Sequence, residues 1–233
     1  GDGCLMEGIN HEAIGLAGHH GLGRLNVLFD SNAITIDGST DLSTCEDIPA
    51  RYRATGWHVV EGDGHDFAEI EQALAAACDE TTKPSLVVCK TVIGKGAPNK
   101  QGTAATHGAP LGEDEIAAAR EELGWNHPPF EIPQDIRDDW RATGEAGKSA
   151  HGEWKQRLSG HAMANEFERR MAGELPDMGE IEKAFAAWLD DDHKVATRKA
   201  SQMALEVINP LVPETIGGSA DLTGSNNTKA GEI

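Results

Sequence analysis

At 233 residues, with 39% hydrophobic and 25% charged residues, the chain can bury a core, which excludes a disordered segment or a stapled miniprotein. Its formal net charge of -19, from 20 Lys and Arg against 39 Asp and Glu, excludes nucleic acid and an anionic membrane surface as main partners. Anionic ligands stay open if their site is built locally, from a helix N-terminus, a divalent cation or a few placed side-chain cations.

Cys4, Cys45, Cys78 and Cys89 form no C-x-x-C pair and no zinc spacing, and read as scattered buried thiols in a reducing compartment. No uninterrupted apolar run reaches membrane-spanning length. There is no signal peptide, and the chain opens on Gly1-Asp2-Gly3 without an initiator Met, which suggests a piece of a longer protein.

In chain order, the apolar spacing of Met6, Ile9, Ala13 and Leu16 predicts a helix over 5–16, stopped by the Gly-rich stretch 18–23. Leu25–Phe29, closing at Asp30, reads as a buried parallel strand. A short helix over 47–55 and a strand over 57–60 follow. Asp66, with Glu69 three residues on, reads as the N-cap of an Ala-rich helix over 67–78. Residues 85–90 are a third strand. Strands alternating with helices predict an α/β fold, a parallel sheet with flanking helices. A long Gly- and Pro-containing loop spans 91–112, and an acidic helix spans 113–123. From 126 the chain reads as a polar helical linker, with Trp140 and Trp154 as packing anchors and a further helix over 178–189. A helix over 196–209 and a strand followed by a turn over 215–219 then read as the opening of another α/β domain. The domain expectation is 1–125, 126–195 and 196–233, with the fold incomplete at both ends.

The strongest chemical signal is Gly1-Asp2-Gly3 with Asn32 in Asp30-Ser31-Asn32-Ala33-Ile34. A helix, a breaker and a strand separate the two motifs. In a parallel sheet this sets Asp2 and Asn32 at the carboxyl ends of neighbouring strands, where α/β folds bind ligands. A carboxylate, an amide oxygen and the Ile34 carbonyl are the hard donors that Mg²⁺ or Ca²⁺ takes. Gly1 and Gly3 allow close backbone approach to a diphosphate. The competing reading of Gly-Asp-Gly is a strand-to-helix turn with an N-capping Asp.

The pairing is the sequence mark of thiamine-diphosphate enzymes, and the wider pattern resembles the transketolase family. Carrying the resemblance are residues 1–8 (GDGCLMEG), His11-Glu12-Ala13, Asn32 with 34–38 (ITIDG), and 89–94 (CKTVIG). Residues 107–112 (HGAPLG) and 217–222 (GGSADL) extend it. It implies thiamine diphosphate as cofactor, held through Mg²⁺ or Ca²⁺ on Asp2, Asn32 and the Ile34 carbonyl. Gly3 would contact the diphosphate and Ile36 the cofactor rings. His107 would touch both cofactor and sugar. Arg198 and Ser225 would hold the sugar phosphate, and Asp221 would lie near the cofactor. Glu7 and Glu12 would sit at a subunit interface. The residue before Ser225 is Gly224, where the family usually has Pro, so that turn is expected to be looser.

Each of these has a plainer alternative. His107 reads as a loop histidine bonded to its own backbone, Arg198 as a solvated helix-start cation, and Glu7 and Glu12 as polar helix positions. His19-His20, Lys95 and Lys100 read as surface groups, with the lysines as alternative guides for an anionic sugar. Asp190-Asp191-Asp192 reads as a solvated helix end.

The resemblance implies a cytoplasmic homodimer of the pentose phosphate pathway that moves a two-carbon ketol unit between sugar phosphates. In the family a glutamate of the second, pyrimidine-binding domain ionises the cofactor, and it has no counterpart in these residues. The 233 residues alone are therefore expected to be inactive. Dihydroxyacetone synthase, a deoxyxylulose-phosphate synthase and a non-catalytic truncated paralogue that acts as a binding module remain alternatives.

Overall fold

The computed structural model describes residues 1–189 and 194–231. The chain forms two compact units, Gly1–Glu131 and Ile132–Ile233.

In the first unit the elements run α1 (Asp2–Leu5), α2 (Gly8–His19), β1 (Asn26–Ser31), β2 (Ile34–Thr35) and β3 (Gly38–Ser39). They continue with α3 (Ile48–Ala54), β4 (His58–Asp63), α4 (Phe67–Asp79), β5 (Ser85–Lys90) and α5 (Glu113–Glu122). β1, β5 and β4 form a parallel sheet in that order, with Asn26 and His58 both in register with Ser85. β5 is central, and its residues Ser85 to Val88 are all buried, as expected of a strand covered on both faces. The pleat sends successive side chains to opposite faces. Leu86 and Val88 join Ile14, Ala17, Phe29, Ile48, Tyr52 and Trp57 on one face, while Val87 meets Ala73 and Ala77 of α4 on the other. The outcome is the expected helix-flanked parallel sheet.

Local differences from the sequence reading have identifiable causes. The expected helix over 5–16 is two helices, because Glu7 is extended (φ -63°, ψ 137°) and restarts the helical phase. The 18–23 stretch does stop α2, which ends at His19 with Gly21 left-handed (φ 58°) just beyond. Gly18 and Gly23 also permit close approach: a Cβ on Gly18 would lie 1.8 Å from the Thr55 carbonyl oxygen, and one on Gly23 1.8 Å from that of Thr81. Asp66 caps α4 as expected, accepting from the Ala68 and Glu69 amides at 2.8 and 3.1 Å. The Glu69 carboxylate accepts instead from the Asp63 amide at 2.7 Å, tying α4 to the end of β4. The cysteine expectation fails. Cys4, Cys45 and Cys78 are exposed, and only Cys89 is half-buried. Burial, helped by the Asp30 carboxylate, pushes the Cys89 thiol pKa up and keeps it protonated.

The second unit contains α6 (Gln134–Ser159), α7 (Ala164–Met171), α8 (Gly179–Leu189), α9 (Thr197–Leu211) and α10 (Thr223–Asn226). Trp154 acts as an anchor: its ring stacks on His151 at 5.8 Å and meets Phe167 edge-on at 6.2 Å. Trp140 does not, since it is 76% exposed. The expected strand over 215–219 is also absent. That stretch has no ladder partner among the described residues, and Ile216 points to solvent. The Asp190–Asp192 run lies outside the described residues.

α7 is tied to the turn after α9 by an ionic cluster. Arg169 binds both Glu166 and Glu214, and Arg170 reaches Glu166 at 2.7 Å. The hydrogen bonds from Arg169 and Arg170 hold the Glu166 carboxyl at about 2, against an ordinary 4.5. A depressed carboxylate stabilises the fold above its unfolded-state value, and that contribution fades as pH falls toward the folded value. Its stabilising contribution is therefore expected to be full above about pH 4.5 and to fade between there and about pH 2, where the Glu166 carboxyl itself protonates in the folded chain. Carboxyl titration followed by NMR checks this, with Glu166→Gln removing the low-pH step.

Candidate functional site

The parallel register aligns the carboxyl ends of the strands at Ser31, Lys90 and Asp63. Asn32 follows β1 directly, at this edge. Ala33 takes a left-handed conformation (φ 60°), which turns the chain back so that Ile34 enters the β2–β3 hairpin. Ile36 and Asp37 form the hairpin's tip, and Ile36 is 72% exposed.

Across from this turn stands α1. The Asp2 carboxylate accepts the Asn32 amide proton at 3.3 Å. It makes no side-chain cap on its own helix, so the capping alternative does not describe it. Asp2 reaches Asn32 from the first residue of α1. The Asn32 side chain is held at both ends: its Nδ2 donates to Asp30 at 3.3 Å, and its Oδ1 accepts from the Ile34 amide at 3.0 Å. The Thr91 hydroxyl hydrogen-bonds to the other Asp30 oxygen, and the Thr91 amide donates to the Ser31 carbonyl at 3.2 Å. Asp30 thus joins Asn32 to the start of the 91–112 loop.

These elements enclose a cavity of about 510 Å³, lined by Gly1 to Cys4, Glu7, Asp30, Asn32, Ile34 to Asp37, Ile93 and His107. It brings together Asp2, Gly3, Asn32, Ile34, Ile36 and His107, which are the expected metal, diphosphate and ring contacts of this unit. A second cavity of about 480 Å³ lies along the same edge, between the ends of β4 and β5. Size does not separate the two, but donor chemistry does. Asp2 is 8% exposed, no cation pairs with it among the described residues, and its carboxylate meets the Asn32 backbone amide. The lining holds four carboxylates, Asp2, Glu7, Asp30 and Asp37, and no Lys or Arg. An anionic diphosphate would be repelled here unless a divalent cation came with it. Nothing lies within 4 Å of a Cβ built on Gly1 or Gly3, so packing within the chain does not demand glycine at either position. The residues present therefore fit a metal-bound diphosphate.

His107 is exposed, and its backbone amide donates to Ala104 at 3.0 Å. Its ring makes no bond to the backbone of the described residues, its own loop included, so the alternative of a self-bonded loop histidine is not realised. Glu7 lines the cavity, and Glu12 is exposed on α2.

A protein-family profile described as transketolase, thiamine diphosphate binding domain, matches residues 1–176. The chain belongs to this family. It is 52% identical to a transketolase of Cereibacter sphaeroides, over 99% of this chain and 35% of the relative. With transketolase 1 of Escherichia coli K12 it shares 49% identity, over 98% of this chain and 35% of the relative. It superposes on a transketolase of Pichia stipitis, crystallised with sedoheptulose-7-phosphate, with TM-score 0.83 and 39% identity, covering 99% of this chain and 35% of that one. For a transketolase of Leishmania mexicana the values are 0.81 and 38%, with coverage of 98% and 34%. The chain thus spans about a third of the length of the transketolases it matches.

The remaining transketolase-like positions belong to the second unit. Arg198 is exposed in the first turn of α9, and Ser225 is exposed in α10. Asp221 is exposed with a left-handed backbone (φ 57°). A cavity of about 380 Å³ beside α9 is lined by Leu205, Ile208, Thr215 and Gly217 among others, and by none of these three. Lys100 is not a free surface group, because its ammonium donates to the Leu111 carbonyl at 2.6 Å and closes the loop. Lys95, His19 and His20 are exposed, as expected. Sequence reasoning missed Asp30 and Thr91. Both stand at strand ends, and that placement was the available signal.

Proposed function

We propose that Asp2, Asn32 and the Ile34 carbonyl hold a divalent cation, Mg²⁺ or Ca²⁺, that carries the diphosphate of thiamine diphosphate. The observation that carries this reading is the buried Asp2 carboxylate, with no cation beside it among the described residues, bonded to the Asn32 amide in a cavity whose lining holds four carboxylates and no Lys or Arg. When bound, the cofactor supplies a stabilised carbanion equivalent for carbon–carbon bond transfer. The chain's own residues do the rest of the work. Asp2 and Asn32 neutralise and orient the cation, with Asp30 fixing the Asn32 amide. Gly3 leaves room for a phosphate oxygen beside α1. Ile36 offers an apolar surface to the cofactor rings and keeps water from that side. His107, whose ring nitrogens have no partner among the described residues, can donate to a sugar hydroxyl.

Arg198, with Ser225, is assigned to the phosphate of a sugar phosphate, a task that suits a guanidinium fork, and Asp221 to the cofactor's neighbourhood. Residues 126–195 are assigned as a helical linker and 196–233 as the opening of the pyrimidine-binding domain. The reaction proposed for the whole protein is ketol transfer between sugar phosphates in the pentose phosphate pathway, by a cytoplasmic homodimer with Glu7 and Glu12 at its interface. No described helix is long and apolar enough to cross a membrane.

Calorimetric titration of the 233-residue chain with thiamine diphosphate tests the cofactor assignment. Binding is expected with Mg²⁺ and not with EDTA, and without ketol transfer by the chain alone. Equal binding in both conditions would refute the metal assignment, and turnover would refute the expected inactivity.

A further inference from the structure

We infer that Arg51, together with Asn10, is a clamp that positions α1, and with it the Asp2–Gly3 turn, against the sheet. α1 has four residues, Asp2–Leu5. A helix of that length has no stability of its own, so tertiary contacts must set its place. At its amino end the contact is the Asn32 amide on Asp2. At its carboxyl end the helix breaks, and the Leu5 carbonyl is left at the break. Two side chains from outside α1 take it: Asn10 Nδ2 at 3.0 Å and Arg51 Nη2 at 3.1 Å.

Both donors are held in turn. The Tyr52 hydroxyl donates to Asn10 Oδ1 at 3.0 Å, and Tyr52 is 1% exposed. Burial pushes the phenol's pKa above 10, outweighing the lowering effect of the Asn10 bond, so it stays a donor. Arg51, whose side chain is 12% exposed, also reaches Glu46 at 3.1 Å through Nε and the nearer His11 ring nitrogen at 2.7 Å through Nη1. One guanidinium thus spans α1, α2 and the segment before α3. Its planar fork of donors makes this possible, and a lysine ammonium at the end of its stem cannot reach all three. The clamp lies outside the cavity lining, so it acts on the site only by placing α1.

The positional claim stands on these contacts, and its effect on binding rests on the cofactor reading above. The test is hydrogen exchange by mass spectrometry, with thiamine diphosphate titration in parallel, on Arg51→Lys and Asn10→Asp. Asn10→Asp keeps the acceptor for Tyr52 and removes the donor to Leu5, and it serves if the arginine variant fails to fold. Ala77→Gly, on the far face of the sheet, is the control for general destabilisation. Exchange at the amides of Met6, Glu7 and Asn32 is expected to rise about tenfold in the clamp variants, as for one lost buried hydrogen bond, with α4 unchanged. Cofactor affinity should fall by a similar factor, while Ala77→Gly leaves it unchanged. Unchanged exchange at those three amides, or the same rise in Ala77→Gly, overturns the clamp. If the unsubstituted chain binds no thiamine diphosphate, the cofactor reading fails and the exchange data still decide the clamp.

Discussion

Gly23→Ala is expected to cost about 3 kcal/mol or more, one of the largest effects available from adding a single methyl to this chain. Its Cβ would stand 1.8 Å from the Thr81 oxygen, 2.2 Å from the Thr81 carbonyl carbon and 2.8 Å from the Thr82 nitrogen. All three are backbone atoms, so no side chain can swing aside to relieve the clash. The turn after α2 must move away from the segment leading into β5, the central strand. Gly18→Ala meets the Thr55 backbone at 1.8 Å and should behave alike. For a chain of this size, 3 kcal/mol lowers the melting temperature by roughly 6–12 °C. Gly15→Ala is the informative contrast. It lies within α2 with nothing within 4 Å of its Cβ, and should stabilise by about 0.5–1 kcal/mol. Thermal melts of the three variants check the ordering.

Asp2→Ala is expected to abolish Mg²⁺-dependent cofactor binding without lowering the melting temperature of the unliganded chain. The substitution removes one 3.3 Å hydrogen bond from Asn32, a loss of about 1 kcal/mol. It also removes a carboxylate that is 8% exposed with no cation beside it, and relief of that desolvation offsets the loss. Binding has no such compensation. Losing a group that only supports a metal ligand weakens metal sites about 10–100-fold, so losing a ligand should cost about 100-fold or more. Asn32→Ala should weaken binding similarly and should also free the Asp30 oxygen that holds the Asn32 amide. Calorimetry and melting of the same samples separate a lost ligand from a lost fold.

The parts legible in the sequence were those set by local pattern. β5 spans the 85–90 run read as a strand, and α4 starts after Asp66, read as its cap. Asp2 and Asn32, far apart in sequence, meet because the intervening helix and strand return the chain to the same sheet edge. The parts that were not legible depend on partners. A periodic apolar stripe cannot show that Glu7 is extended, because the restart after α1 is held by Arg51 and Asn10 from elsewhere. The stretch 215–219 reads as a strand followed by a turn, but a strand exists only with a ladder, and no described strand pairs with it. The stop at 18–23 was legible, but composition does not show the carbonyl oxygens that pass beside Gly18 and Gly23. The cysteines read as buried from their residue type alone, and three of the four are at the surface.

The central claim is that a cation on Asp2 and Asn32 carries the diphosphate, and the most direct measurement is anomalous diffraction from crystals of this chain grown with thiamine diphosphate and Mn²⁺ in place of Mg²⁺. The account predicts one strong peak about 2.2 Å from an Asp2 carboxylate oxygen, from Asn32 Oδ1 and from the Ile34 carbonyl oxygen, with diphosphate oxygens completing the shell. A cofactor bound with its metal elsewhere, or with its diphosphate against the second cavity beside His65 and Lys90, would contradict it.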